Sequence, residues 1–318
     1  MKIVNPNVKL LPISKTYEDM LRDIERAAEI CVASTKRHDP VEDYINNSLI
    51  KRHHYRPLEF GTAYVEVDFP SGVTLNKEDY TELMFWEQVE QNHWTRIKRS
   101  SNYSDYITTN CRVLQEAWDY LNDLYLKELD DIEKGKLQIT TLSLKPWQEY
   151  VKKRWCYTKE HEQRYTFLWE VSRATADSFR THIMISSLMQ STRYCNFARD
   201  KFGSEITFIC PSWFEHDYEK TKYGDFTPHE HLLIRAWKNA EDYYLSGIKL
   251  SMQAQHARAM LPLEIRTEFI QCAYRDAWDN FFNQRAHNST GPAHDDAQLI
   301  ATKAEKLWIE YLEKDKEA

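Results

Sequence analysis

Residues 173–194 read Arg-Ala-Thr-Ala-Asp-Ser-Phe-Arg-Thr-His-Ile-Met-Ile-Ser-Ser-Leu-Met-Gln-Ser-Thr-Arg-Tyr. A helix over most of this stretch places His182, Ser186 and Gln190 in one i, i+4 row, a polar strip on an otherwise apolar element. If the chain becomes extended after Gln190, Ser191 and Arg193 point to the same side. A hydroxyl and a guanidinium converging on one spot suit a phosphate oxygen or a carboxylate, because the arginine fork offers paired donors. The same pair also serves as a surface ion-pair element, so two readings stay open.

Outside this stretch the chain has few alternatives for holding a phosphate. It has 318 residues but only 7 glycines, at positions 61, 72, 135, 203, 224, 247 and 291. Dinucleotide-binding turns and phosphate loops need glycines a few residues apart so that bare backbone can approach the phosphates. Neither motif is present, and a nucleotide would have to be held by side chains. Lys and Arg number 42 against 49 Asp and Glu, a net charge of −7, which argues against a nucleic-acid polymer as partner. The cysteines at 31, 111, 156, 195, 210 and 272 include no C-x-x-C pair. Reduced thiols in a cytoplasmic protein are expected, in a bacterial or virus-infected cell. No apolar leader or membrane-spanning stretch is read, so no membrane partner is expected. His229-Glu230-His231 lacks zinc-helix spacing, and His294-Asp295-Asp296 reads as a helix cap, so no metal is assigned.

The fold class is α/β, a mixed β-sheet covered by helices, in one domain over residues 1–318 with a long, mostly helical insertion at about 70–160. A first helix is expected from about Thr16 to Ala33, opened by Thr16 with Asp19 and striped by Met20, Ile24, Ala27, Ala28 and Cys31. Strands are expected at Thr62–Phe69, Tyr165–Val171 and Glu205–Cys210. Leu114, Trp118, Leu121, Leu124 and Tyr125 mark a helix inside the insertion. Helices follow from His231 to about Ala259, where Leu261-Pro262 closes the run, and from about Glu264 to Gln284. A loop at His287–Pro292 carries Gly291, and a last helix starts near Asp295.

Ser191-Thr192-Arg193-Tyr194, with His182 nine residues before the serine, resembles the signature of the flavin-dependent thymidylate synthases, Arg-His-Arg, seven residues, then Ser-x-Arg-Tyr. Other stretches agree in order. Arg26-Ala27-Ala28 through Ser34 resembles the family's first helix. His54-Tyr55-Arg56-Pro57-Leu58-Glu59-Phe60 resembles its His-x-x-Pro turn, and Ala257-Arg258 with Leu261-Pro262 resembles its Ala-Arg-x-x-Leu-Pro element. Asn280 to Arg285, followed by Ala297-Gln298, resembles its Asn-Phe-Leu-x-Leu-Arg and Ala-Gln.

The resemblance implies an FAD-dependent enzyme and flavoprotein, a homotetramer, that methylates dUMP to dTMP with methylenetetrahydrofolate and NADPH. It implies that Ser191, Arg193, Arg258 and Gln190 bind the nucleotide, and that Arg285 contacts the pyrimidine. Arg285 and Ser191 then stand as catalytic residues, Arg285 by stabilising the ionised ring nitrogen. It implies cofactor contacts from His54, His182, Asn280 and Ser34, with Arg180 a substitute for a missing arginine and Arg173 two turns back. The chain departs from the family at the signature itself, with Thr181, His182 and Ile183 where the family has Arg, His and Arg. That departure opens two alternatives. One is a pyrimidine-nucleotide-modifying enzyme with another product, such as a hydroxymethylated base. The other is a non-catalytic nucleotide-binding homologue.

Overall fold

The computed structural model describes residues 1–68, 75–100 and 104–317. In chain order its elements are β1 (Lys2–Val4), β2 (Asn7–Leu10), α1 (Tyr17–Val32), α2 (Val41–Tyr44), β3 (Thr62–Asp68), α3 (Lys77–Glu90), β4 (Arg96–Arg99), β5 (Ser104–Asn110), α4 (Cys111–Glu133), α5 (Trp147–Arg154), β6 (Arg164–Ser172), α6 (Arg173–Phe179), β7 (Ser186–Met189), β8 (Thr207–Ile209), α7 (Pro228–Lys249), α8 (Ala254–Ala257), β9 (Arg266–Tyr274), α9 (Arg275–Arg285) and α10 (Asp295–Glu317). The chain divides into two units, one of Met1–Pro12, Ala28–Lys36 and Tyr165–Ala318, the other of Ile13–Ala27 and Arg37–Arg164.

The first unit is built on a four-stranded sheet in the order β2-β6-β9-β7, with β1 and β8 forming a separate parallel pair. Strand β9 is buried along nearly its whole length, because strands flank it on both sides and helices supply the aromatic core. Trp278, Phe281 and Phe282 project from α9 at helical spacing onto Phe167 and Trp169 of β6 and Phe179 of α6. Trp278 is fully buried, and its indole N–H donates to the Tyr165 carbonyl at 3.0 Å. Each such aromatic contributes about 1.5 to 3 kcal/mol by burial, so α9 is held in place by its apolar face.

The second unit carries an antiparallel sheet in the order β3-β5-β4. Helix α1 starts here with the expected reciprocal cap, the Asp19 N–H donating to Thr16 Oγ1 and the Thr16 N–H to Asp19, both at 3.1 Å. Met20, Leu21 and Ile24 of α1 are buried. A Cβ on Gly61 would lie 2.6 Å from Ile24 Cδ1 and 2.9 Å from Cys111 Sγ. One of the seven glycines thus serves close packing.

Most predicted elements form, including α1, β3, β6, β8, α4, the loop at Gly291 and α10. Position 69, the last of the predicted first strand, lies outside the described residues. Four readings are corrected. The segment 70–160 contains the strands β4 and β5 besides its helices, since Ser104–Asn110 is a short run of β-branched and aromatic residues between stronger helical stripes. Residues 173–190 are not one helix: α6 ends at Phe179 and β7 begins at Ser186. The run from His231 breaks after Lys249, with α8 separate from α7. The predicted helix at Glu264–Gln284 is β9 followed by α9, because a mostly apolar run such as Phe269–Tyr274, broken only by Gln271, fits a strand buried on both faces as well as a buried helix.

Among the described residues no helix is long and apolar enough to cross a membrane. All six cysteines are free, and among the described residues no group of three or more His, Cys, Asp or Glu is placed to hold a metal. At α10 the His294 ring accepts the Asp296 N–H at 3.3 Å, the capping role read for that tripeptide.

Candidate functional site

Apart from Asn280, the predicted site residues of the first unit lie toward the two ends of β7, which pairs antiparallel with β9 from Ser186↔Cys272 to Met189↔Phe269. At its C-terminal end the Gln190 N–H donates to the Glu268 carbonyl at 2.9 Å, and the chain then turns. The N–H groups of Tyr194 and Cys195 donate back to the Ser191 carbonyl at 3.3 and 3.0 Å. Residues 191–194 are therefore a turn and not the extended segment supposed from sequence. Within the turn the Arg193 backbone N–H donates to Ser191 Oγ at 3.3 Å.

Helix α1 anchors this turn, the Ser191 N–H donating to the Cys31 carbonyl at 2.8 Å. Ala33 ends the helix in the left-handed region, φ 49°, and the Ser34 N–H reaches back to the Glu29 carbonyl at 2.9 Å. The Lys201 ammonium donates to the Val32 and Ala33 carbonyls, complementing the negative helix end. Ser34 is thus brought to the same end of the fold as Ser191, its hydroxyl accepting the Lys36 N–H.

Arginines flank the turn. Arg173, at the start of α6, donates to the Gln190 carbonyl at 3.0 Å. Arg258, following α8, donates to Thr192 Oγ1 at 3.4 Å, a weak bond. Arg193 lies 5.6 Å from the Tyr194 ring centre. Arg193 and Arg258 are exposed, and neither has an ion pair among the described residues. Burial lowers the Arg173 pKa from its usual value, and repulsion from Arg180 and Arg258 adds to this against the attraction of Asp177. Arg180 itself is ion-paired with Asp177 at 3.1 Å. Gln190 is buried, its Oε1 accepting the Glu268 N–H at 3.5 Å, and it walls a pocket of about 360 Å³ with Lys201, Arg266 and Phe202.

Around the other end of β7, Arg285 closes α9. Its Nε–H donates to His182 Nε2 at 2.9 Å, and Nη2 donates to the Ser178 carbonyl and to Thr181 Oγ1, each at 3.0 Å. An arginine can only donate, so His182 Nε2 is an acceptor and the ring proton sits on Nδ1. Burial, with the Arg285 charge beside it, pushes the His182 pKa down to about 4. Phe281, one turn before Arg285 on the same helix face, lies edge-on to His182 at 4.9 Å. Asn280 is exposed, its side-chain Oδ1 accepting from the Gln284 side-chain amide at 3.1 Å.

The two groups stand apart within one chain. Four residue steps of strand separate Ser186 from Gln190, roughly 13 Å at about 3.3 Å per residue. His54 belongs to the second unit, where it is exposed after a turn closed by its N–H to the Leu49 carbonyl at 2.8 Å. Thr181, Thr192 and Arg173 were outside the predicted site set. Arg173 opens the diagnostic stretch as a cation, which was the available signal, whereas nothing in the sequence marks Thr181 as a partner of a residue 104 positions away.

A flavin dinucleotide carries a diphosphate, which needs cationic or backbone donors. At 181–183 the chain offers a Thr181 hydroxyl committed to Ser178 and Arg285, a neutral imidazole committed to Arg285, and Ile183, 84% exposed. These residues do not fit a diphosphate, and Arg180 is engaged by Asp177.

Residues 160–310 match the family described as thymidylate synthase complementing protein. The family resemblance read at 182–194, 257–262, 280–285 and 297–298 holds over this segment, while the stretches at 26–34 and 54–60 lie outside it. Among solved structures, a UMP/dUMP methylase, PolB from Streptomyces cacaoi, bound with 5-Br UMP is similar at 12% identity and a TM-score of 0.41, covering 97% of this chain and 91% of that one. The same methylase bound with 5-Br dUMP is similar at 13% identity and a TM-score of 0.41, covering 98% and 93%. No curated protein matches.

Proposed function

We propose that this chain, which carries the thymidylate synthase complementing segment over residues 160–310, is an enzyme that binds a pyrimidine nucleotide 5′-monophosphate such as dUMP. In this reading it transfers a one-carbon unit from methylenetetrahydrofolate to carbon 5 of the base. The observation that carries the reading is the cation cluster at the Ser191 turn. Arg173, which donates to the Gln190 carbonyl beside the turn, is repelled by Arg180 and Arg258 with Asp177 as its main counter-charge, and Arg193 and Arg258 remain exposed. A dianionic phosphate relieves that repulsion and accepts the guanidinium N–H groups and the Ser191 hydroxyl proton. Arg285, fixed by three acceptors, then addresses the pyrimidine and stabilises negative charge on the ring, raising nucleophilicity at carbon 5.

A phosphate clamp and a base contact at opposite ends of one strand suit a site assembled from more than one subunit, as in the homotetramer the family implies. The family also implies FAD reduced by NADPH. The donor set at 181–183 does not fit the flavin diphosphate, so no step is assigned to flavin. The same observation favours a second reading, in which the methylene carbon is captured by water at its own oxidation level, giving a hydroxymethyl product without any hydride donor.

The test is tritium release from [5-³H]dUMP with methylenetetrahydrofolate, with and without FAD and NADPH, followed by the product mass. Release identifies the enzyme, and a methyl or hydroxymethyl product separates the two readings. Nucleotide binding with no release under any condition contradicts both and leaves a nucleotide-binding protein.

A further inference from the structure

The Arg285 guanidinium is held by one short segment of chain. Its Nε–H goes to His182, and its Nη2 hydrogens go to the Ser178 carbonyl and the Thr181 hydroxyl. The Thr181 hydroxyl has a single proton, which it gives to the Ser178 carbonyl at 2.8 Å, so Oγ1 meets Arg285 with a lone pair, as an acceptor. Among the described residues Nη1 has no partner. Three acceptors on consecutive turns of backbone leave the planar fork no rotation that keeps all three bonds, and only the Nη1 edge remains to donate to a ligand.

We propose that Thr181 is a positioning residue that presents the Nη1 edge of Arg285 to the pyrimidine base, an inference that rests on the base-contact reading given above. The exchange of arginine for threonine at 181 is then more than the loss of a cation. An arginine there has no lone pair to offer and sets a second guanidinium against Arg285, so this placement of Arg285 and an arginine at 181 exclude each other. Restoring the family's arginine is expected to impair the site.

The experiment titrates the full chain with dUMP and, separately, with 2-deoxyribose 5-phosphate, which has the phosphate but no base. Thr181→Val is expected to weaken dUMP binding roughly three- to tenfold, the effect of one lost hydrogen bond, and to leave the sugar phosphate unchanged. Thr181→Ser keeps the hydroxyl and restores dUMP binding, and Thr181→Arg loses as much as Arg285→Ala. If Arg285→Ala weakens dUMP while Thr181→Val and Thr181→Arg do not, the positioning role is overturned and the base contact stands. Equal weakening of both ligands by Thr181→Val reduces Thr181 to a structural residue and likewise overturns the proposal. Arg285→Ala without effect on dUMP removes the base-contact reading itself, and the positioning role with it.

Discussion

At the C-terminal end of β7, Arg193 and Arg258 are exposed and without ion pairs among the described residues, whereas the arginine at the other end, Arg285, is partly buried and bonded to three acceptors. Guanidiniums of the first kind can give most of their hydrogen-bonding capacity to an incoming anion, but they have no fixed direction. The second kind has spent three of its five N–H groups on orientation and keeps one edge for a ligand. Charge recognition at one end and direction at the other is what a phosphorylated pyrimidine requires, since its phosphate is a strong, nearly spherical anion and its base is read by directed donors.

The strongest way to break this contrast is to remove the platform under both ends. Trp278→Ala deletes a fully buried indole between β6 and α9 and is expected to cost about 3 to 5 kcal/mol in urea unfolding, taking both arginine sets with it. Arg258→Ala and Arg193→Ala should act on the first end alone. Each is expected to weaken dUMP binding by about 1.5 to 3 kcal/mol in calorimetric titration, with stability changed by less than about 0.5 kcal/mol.

The second end should respond to pH instead. His182 has a pKa near 4 in the folded chain, below its ordinary value, so between those two values the unfolded chain binds more protons than the folded one. The stabilising contribution of the neutral ring is complete above the ordinary histidine value and falls as pH drops toward 4, by at most about 1.4 kcal/mol per pH unit. Unfolding at pH 5 and pH 7 should show this slope, and His182→Gln should flatten it; an unchanged slope contradicts the buried neutral imidazole. The smallest effect belongs to Arg180, whose exposed i, i+3 pair with Asp177 is worth at most about 1 kcal/mol. Arg180→Ala is expected to leave dUMP affinity within about twofold, and a larger loss would assign Arg180 to the clamp.

What could be read in advance divides along the same strand. The Thr16 and Asp19 cap, the α1 stripe and the α10 start are local patterns, and all are present. Ser186 and Gln190 misled because buried polar residues resemble a polar helix face when their partners are out of sight. Here Ser186 sits opposite Cys272 and Gln190 Oε1 accepts the Glu268 N–H at 3.5 Å, both from a strand far along the chain, which turns a polar strip into the interior of a sheet. The grouping of Ser191, Arg193 and Arg258 followed from the motifs that resemble the family. The pairing of Arg285 with His182 and Thr181 spans more than a hundred positions and follows from packing of α9 on α6, which no local period encodes.

The proposed phosphate clamp at the Ser191 turn is tested most directly by titrating dUMP and its phosphate-free counterpart, deoxyuridine, into the wild-type chain and into the Arg193→Ala, Arg258→Ala double variant. The account predicts that the wild type prefers dUMP by at least about a hundredfold, in line with two or more charge-assisted bonds, and that the double variant loses most of that preference. A wild type that binds the two ligands alike, or a double variant that keeps the full preference, would contradict it.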